Sequence, residues 1–367
     1  MKKKRNAPDF IIFFAAVTLL AIGVIMVFSA SSATAAGTRG DAYYYLKRQA
    51  MWSSLGLLGM IVFMKIDYRI WRRTGKLLLF LTIILLLLVL IPTVGKVGLG
   101  ARRWLSFGPI NIQPSEIAKL SLVIYMAGYL AHKGEGIRRF WDGLLPALAL
   151  MASIFLMILR QPDLGTAVAL AGTIGLMLFA AGAKMGHLIS LGLGSVPVML
   201  YAIFSKEYRA RRFFAFLNPE ADPLDSGYHI IQSLYALGSG GPVGLGLGRS
   251  RQKWYYLPER HTDFIYAIIG EELGFIGAVL VLLLFLLFTW RGYRVAINAP
   301  DSFGSLLAVG ITSMIGLQAL INIGVVTGSL PITGIPLPLI SYGGSSLLPS
   351  LAAIGILLNI SSHCRTS

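Results

Sequence analysis

The feature that most constrains this chain is a succession of apolar runs near 20 residues long, beginning with "FIIFFAAVTLLAIGVIMVF" at 10–28. At 1.5 Å per helical residue, a run of that length crosses about 30 Å of hydrocarbon. Ten are read: 10–30, 48–66, 76–93, 115–131, 143–159, 164–182, 187–204, 264–290, 304–327 and 346–362. In lipid only helices or closed barrels satisfy their own backbone polar groups, and these runs lack the alternation of barrel strands. The expected fold is an all-α integral membrane protein, a polytopic bundle of about ten transmembrane helices forming one domain over 1–367. A hydrophobic content of 56% excludes the soluble globular and disordered classes.

The first run follows basic residues at 2–5 and precedes Ala33-Thr34-Ala35, an arrangement that imitates a secretory signal. Its apolar stretch is longer than a usual signal core, so it reads as a retained helix. Cys364 is the only cysteine, which excludes a disulfide framework or a cysteine zinc site within one chain. The histidines are scattered without metal-ligand spacing, although a hard cation held by carboxylate and phosphate oxygens would leave no such signature.

Basic residues orient the bundle. Every second connection is basic: 2–5, then Lys65, Arg69, Arg72, Arg73 and Lys76, then Lys133, Arg138 and Arg139, then Lys184, then Arg291 and Arg294, and last Arg365. Both termini therefore fall on the cytoplasmic side. The longest connection, 205–263, lies outside between the seventh and eighth spans and carries Arg209 and Arg212 among its basic residues. Loops of that length translocate regardless of charge. A second external cluster holds Lys96, Arg102 and Arg103. Two readings stand: adhesion to anionic headgroups, or an electropositive cavity that concentrates an anionic ligand such as a lipid-linked phosphate. Nucleic acid is excluded as a partner because these residues face away from the cytoplasm. The halves show no internal repeat, so an inverted-repeat transporter gains no support.

Ionisable groups are scarce, yet "LPERHTDFIYAIIGEELG" at 257–274 contains Glu259, Arg260, His261, Asp263, Glu271 and Glu272. Asp263 stands at the external start of a span. It reads either as a helix-start acid favoured by the dipole or, if Thr262 is the cap, as a carboxylate free for chemistry. Glu271 lies eight residues on, about 12 Å along the helix. Acids near membrane depth pair with something, so one of Glu271 and Glu272 is expected to be structural, bonded to a base or to loop backbone. Glu116 and Lys119 share a helix face. Lys119 reads either as a side chain snorkelling to the interface or as an inward point charge for phosphate. Asp163 in "RQPDLGT" reads as an ion pair with Arg160. "GSGGPVGLGLG" at 238–248 lacks the strand–helix context of a nucleotide loop and reads as flexible backbone near a channel. The Pro- and Gly-rich stretch 327–346 reads as part of a cavity wall.

These motifs carry a resemblance. "GARRWLSFGPINIQPSEIAKLS", "QPDLGT", "GYHIIQSLYALGSGGPVGLGLGRSRQKWYYLPERHTDFIYAIIGEELG" and "PLPLISYGGSS" together resemble the SEDS family, the FtsW/RodA/SpoVE proteins of bacterial cell-wall synthesis, over essentially the whole chain. The stretch "GRSRQKWYYLPERHTDF" is more similar to the FtsW and SpoVE type than to RodA. The resemblance implies a peptidoglycan glycosyltransferase in the bacterial cytoplasmic membrane, polymerising lipid II at the outer face. It assigns the family's essential aspartate to Asp263, a functional lysine to Lys119 and its neighbouring glutamate to Glu116. Asn111 stands where many members have arginine, which leaves Arg102 or Arg103 to supply that charge or makes it dispensable. Asp263 is then the expected general base, with His261, Arg102, Arg103, Arg209 and Arg212 as candidate substrate contacts and Mg or Mn as an allowed cofactor. A class B penicillin-binding protein and other divisome or elongasome membrane proteins are the implied partners. A lipid II flippase and a non-catalytic scaffold are the alternatives. The crowding of charge toward the external face favours surface chemistry over translocation.

Overall fold

The computed structural model describes residues 6–98, 101–108, 110–254 and 257–364. The basic run at 2–5, Arg365, and Tyr255 and Tyr256 of the quoted motif lie outside the described residues. The ten apolar runs coincide with ten helices: α1 (Phe10–Arg39), α2 (Tyr44–Lys65), α3 (Arg69–Leu90), α4 (Pro114–Lys133), α5 (Leu145–Leu159), α6 (Leu164–Ala180) and α7 (Met185–Phe204), then α10 (Ile265–Ile297), α11 (Ser302–Val326) and α12 (Gly344–His363). Among the described residues, seven segments are long and apolar enough to span a membrane: α1, α3, Phe140–Leu159, α7, α10, α11 and α12. The helix α6 is apolar but shorter. The long helices α2 and α4 carry charged residues, Lys47 and Arg48 in the one and Glu116 and Lys119 in the other. The chain is thus a helical, multi-pass membrane protein.

Local chemistry fixes where these helices begin. Asp9 caps α1 by accepting from the Ile11 and Ile12 amides, and Gly40 closes it in the left-handed conformation that glycine adopts without strain. Asp163 caps α6 through the Thr166 amide, and Asp301 caps α11 through the Gly304 amide. Pro114 occupies the first turn of α4, where no amide partner is lost. The most enclosed span is α11, which packs against α10, α4 and α6. Around it, α12 packs on α2, α1 on α10 and α2, and α3 on α4. The first apolar run is built into the bundle, because Ser29 of α1 donates to Glu272 of α10.

Two connecting segments are more ordered than their sequences suggest. Three strands, β1 (Gly95–Gly98), β2 (Ala101–Phe107) and β3 (Ile110–Ile112), form an antiparallel sheet in the order β1-β2-β3 with Lys96 opposite Trp104 and Leu105 opposite Ile112. The connection 205–263 holds two further helices, amphipathic α8 (Glu207–Leu217) and α9 (Tyr228–Gly240). Strand alternation sorts β2: Ala101 and Leu105 are buried on the face that Arg103 shares, while Arg102 falls on the face of Trp104.

Candidate active site

The span that follows Asp263 is broken. Gly274 of α10 has φ 69°, and the carbonyls and amides freed there are taken up by the glycine-rich segment after α9. Leu245 and Gly246 donate to the Glu271 and Glu272 carbonyls at 3.0 Å each, while Phe275 and Ile276 donate to the Gly241 and Pro242 carbonyls. Irregular backbone inside a span is tolerated when protein re-satisfies it in this way. A Cβ at Gly274 would run into the Gly244 backbone. The segment 238–248 is therefore a fitted plug for a helix break, where flexible backbone had been expected.

Both acids beside the break hold loop backbone. Glu271 accepts from the Ser250 hydroxyl and the Arg251 amide, the latter at 2.8 Å. Glu272 accepts from Ser29, from the Gly248 and Ser250 amides and from Lys253 Nζ at 3.4 Å. Glu271 and Glu272 are fully enclosed. They pin residues 248–253 over the start of α10.

Asp263 lies just before that helix. Neither it nor Thr262 is a cap: the cap position belongs to Phe264, and the Thr262 hydroxyl donates to the Glu259 carbonyl and carboxylate. Three successive carbonyls are held from the opposite side. The Tyr342 amide donates to His261 (2.9 Å), the Ser341 hydroxyl to Thr262 (2.6 Å) and Asn322 Nδ2 to Asp263 (2.7 Å). The Asp263 carboxylate lies against Gly334 and, among the described residues, takes no hydrogen bond or ion pair. It is half-buried. Burial pushes its carboxyl up to about 7; the charge of Glu259 adds to that rise, and those of Arg103 and Arg212 oppose it. Burial also lowers His261, leaving a neutral ring near Tyr45 and Tyr342.

The remaining candidates separate. Arg103 donates to the Gln161 and Pro162 carbonyls and lies 3.9 Å from Asp163, so Asp163 pairs across the turn with Arg103. The expected Asp163–Arg160 pair is not what forms; Arg160 is exposed. Arg209 is occupied with the Ala202 and Leu159 carbonyls, whereas Arg212 is exposed on α8 over the Tyr208 ring. Lys119 and Glu116 form a 3.0 Å pair, 4% and 2% exposed, and Lys119 also donates to Gln318 Oε1. Neither snorkelling nor open presentation to phosphate describes Lys119 here. Among the described residues, Glu259 and Leu339 have φ of 50° and 65°, a region that non-glycine residues rarely adopt, and both lie in segments beside Asp263. Backbone strain of this kind gathers at functional sites.

A cavity of about 780 Å³ opens beside the turn, lined by Tyr45, Lys47, Arg48, Lys96, Trp104, Asn111, His261, Thr262 and Tyr342 among others. Its wall reaches the two residues preceding Asp263. Asn111 thus sits at a cavity that already has three basic neighbours. Sequence reasoning had passed over Gln318, Asn322, Ser341 and the pair Lys47 and Arg48. The signal for the amides was present: two polar side chains four apart in an apolar span. No group of three or more His, Cys, Asp or Glu side chains gathers as a metal site among the described residues.

The fold and this turn define a class of polytopic membrane protein with a half-buried acid, Asp263, just before a broken helix of the bundle. The FtsW/RodA/SpoVE family, described as cell cycle proteins, matches residues 10–366, and the chain belongs to it. It is 49% identical over 365 residues to stage V sporulation protein E of Bacillus subtilis (strain 168), covering 100% of both chains. It is 46% identical to the probable peptidoglycan glycosyltransferase FtsW of Geobacter metallireducens, covering 99% of this chain and 97% of that one. Among solved structures, one described as structural coordination of polymerization and crosslinking by a peptidoglycan synthase complex superposes with a TM-score of 0.80 at 32% identity, covering 97% of this chain and 98% of that one. The rod shape determining protein RodA of Thermus thermophilus superposes with a TM-score of 0.72 at 30% identity, covering 98% and 99%.

Proposed function

We propose that this chain is a peptidoglycan glycosyltransferase that polymerises lipid II at the outer face of the cytoplasmic membrane. The observation that carries the mechanism is the Asp263 carboxylate: half-buried, unbonded, fixed through its backbone, and with a proton affinity matched to neutral pH. A general base works best when its pKa lies near the operating pH. Asp263 takes the proton from the 4-hydroxyl of the acceptor GlcNAc as that oxygen bonds to the anomeric carbon of the donor sugar. The bond from that carbon to the pyrophosphate breaks on the opposite face, and undecaprenyl pyrophosphate departs with its electron pair. An α-linked donor thereby yields a β-linkage.

The leaving group needs preorganised positive charge. Arg212, exposed on α8, and Arg102, on the Trp104 face of β2, are the candidates to supply it, and Lys47, Arg48 and Lys96 line the adjoining cavity. Arg103 keeps Asp163 and the 160–163 turn in place while acting on Asp263 through its field. Arg209, Lys119 and Glu116 belong to the supporting frame. A divalent cation, if bound, would be held by the Asp263 or Glu259 carboxylate and would supply further positive charge toward the leaving group. A class B penicillin-binding protein is the proposed partner, because the peptidoglycan synthase complex it superposes on joins polymerization to crosslinking.

Purified protein given labelled lipid II in detergent tests this reading, with and without EDTA and the transpeptidase. Glycan strands are the expected product, and Asp263→Asn is expected to lower the rate about 10²–10⁴-fold. Detergent removes sidedness, so a flippase gives no glycan there. A scaffold gives none in any arm beyond what its partner makes alone.

A further inference from the structure

Asn322 and Gln318 lie four residues apart on α11, on one helix face, and grip consecutive carbonyls of the segment after it. Asn322 Nδ2 donates at 2.7 Å to both the Ile335 and the Asp263 carbonyls, and Gln318 Nε2 donates at 2.9 Å to Pro336. Gln318 Oε1 accepts from Lys119, itself paired with Glu116. Asn322 is 1% exposed, and its Oδ1 has no partner. An amide kept at such depth with one end unsatisfied costs stability, so packing alone gives no reason for it. Its one evident service is to tie the Asp263 turn to the Gly334–Ile335 wall against which the carboxylate lies.

We propose that Asn322 is a positioning residue for Asp263: by bridging the Asp263 and Ile335 carbonyls it holds the carboxylate at the depth and distance from the acceptor hydroxyl that proton abstraction needs. Gln318 extends the same hold to the Lys119–Glu116 pair. This inference rests on Asp263 being the general base. Misplacement of a reacting group by about 1 Å costs roughly 10²-fold in rate. The charged and titratable groups facing Asp263 are Glu259 on its own turn, Asp163 and Arg103 from the 160–163 turn and β2, Arg212 from α8, and the histidines His261 and His229 nearby.

The test is steady-state lipid II polymerisation across pH by the full chain in detergent. Asn322→Ser and Asn322→Leu are compared with Asn359→Ser, which removes a similar buried amide clamp, on Met64 and Tyr68, at the other end of the bundle. Asn322→Ser is expected to lower kcat roughly 10²-fold with KM little changed. Its pH–rate midpoint is expected to move to lower pH, because a loosened turn lets water reach the carboxylate. Asn359→Ser is expected to lower the melting temperature and leave the midpoint alone. Wild-type kcat and midpoint in a folded Asn322 variant overturn the proposal, as does activity that merely tracks the folded fraction with an unmoved midpoint. If Asp263→Asn polymerises normally, the general-base reading itself fails, which is a separate outcome read from a separate variant.

Discussion

One carboxyl sits between opposing fields, and the sign of each neighbour is readable. Glu259 raises the Asp263 proton affinity and Arg212 lowers it. A general base must be deprotonated, so the rate climbs as pH rises through about 7, the value to which burial and Glu259 push this carboxyl. Removing the acid with Glu259→Gln is expected to move the midpoint of kcat/KM against pH downward by a few tenths to about one unit, and Arg212→Gln upward by a similar amount. Opposite shifts in the two variants are the decisive result; shifts of the same sign place the titration on another group. Asp263 stood out in the sequence because an acid at the start of a span in a chain with so few charges demands a reason, and the family resemblance supplied its proposed role. Its frame was not. The Asp163–Arg103 contact joins residues 60 positions apart, and the Asn322 clamp joins α11 to a turn nearly as distant. No local pattern encodes either.

Elements were legible where apolar length decides them, which is why ten helices were located without coordinates, although only seven segments among the described residues are long and apolar enough to span a membrane. Breaks inside them were not, because a glycine in a span looks the same whether the helix runs straight or opens. At Gly274 it opens, and the segment 241–246 enters the gap. Glu272 then does two things at once: it fastens the loop amides and neutralises Lys253, which is 5% exposed beside it. Replacing one member of a buried pair leaves the other charge uncompensated, at a cost of about 3–5 kcal/mol. Glu272→Ala is accordingly expected to lower the melting temperature in detergent. It should also expose Arg249 and Arg251, already at the surface, to faster cleavage by trypsin. A melting curve and digestion rate matching wild type would mean that the loop is held by its backbone contacts alone.

For the whole molecule, the contacts divide the bundle into two ends. At one, β2, the 160–163 turn, the 257–264 turn and the 327–343 segment meet around Asp263. At the other, Arg291 binds Asp9, Tyr68 binds Asp301, His363 faces Asp67, and the Asn6 amide donates to Ser362. The short connections at this second end carry Arg69, Arg72, Arg73, Lys133, Arg138, Arg139 and Lys184, more basic residues than the Arg39, Lys47, Arg48 and Arg160 that flank the short connections at the Asp263 end. Short loops, and not the long 205–263 connection, set orientation. The end bearing Asp263 should therefore face outward, where a lipid-linked sugar is met after it has crossed. Single cysteines at exposed Trp254 and exposed Arg138, introduced with Cys364→Ser, test this in intact cells with a membrane-impermeant maleimide. Trp254→Cys is expected to label at once and Arg138→Cys only after permeabilisation. The reverse order would put the carboxylate on the side where ATP and cytoplasmic precursors are found. Polymerisation of an exported substrate would then have to be abandoned, even with the fold and the Asp263 turn unchanged.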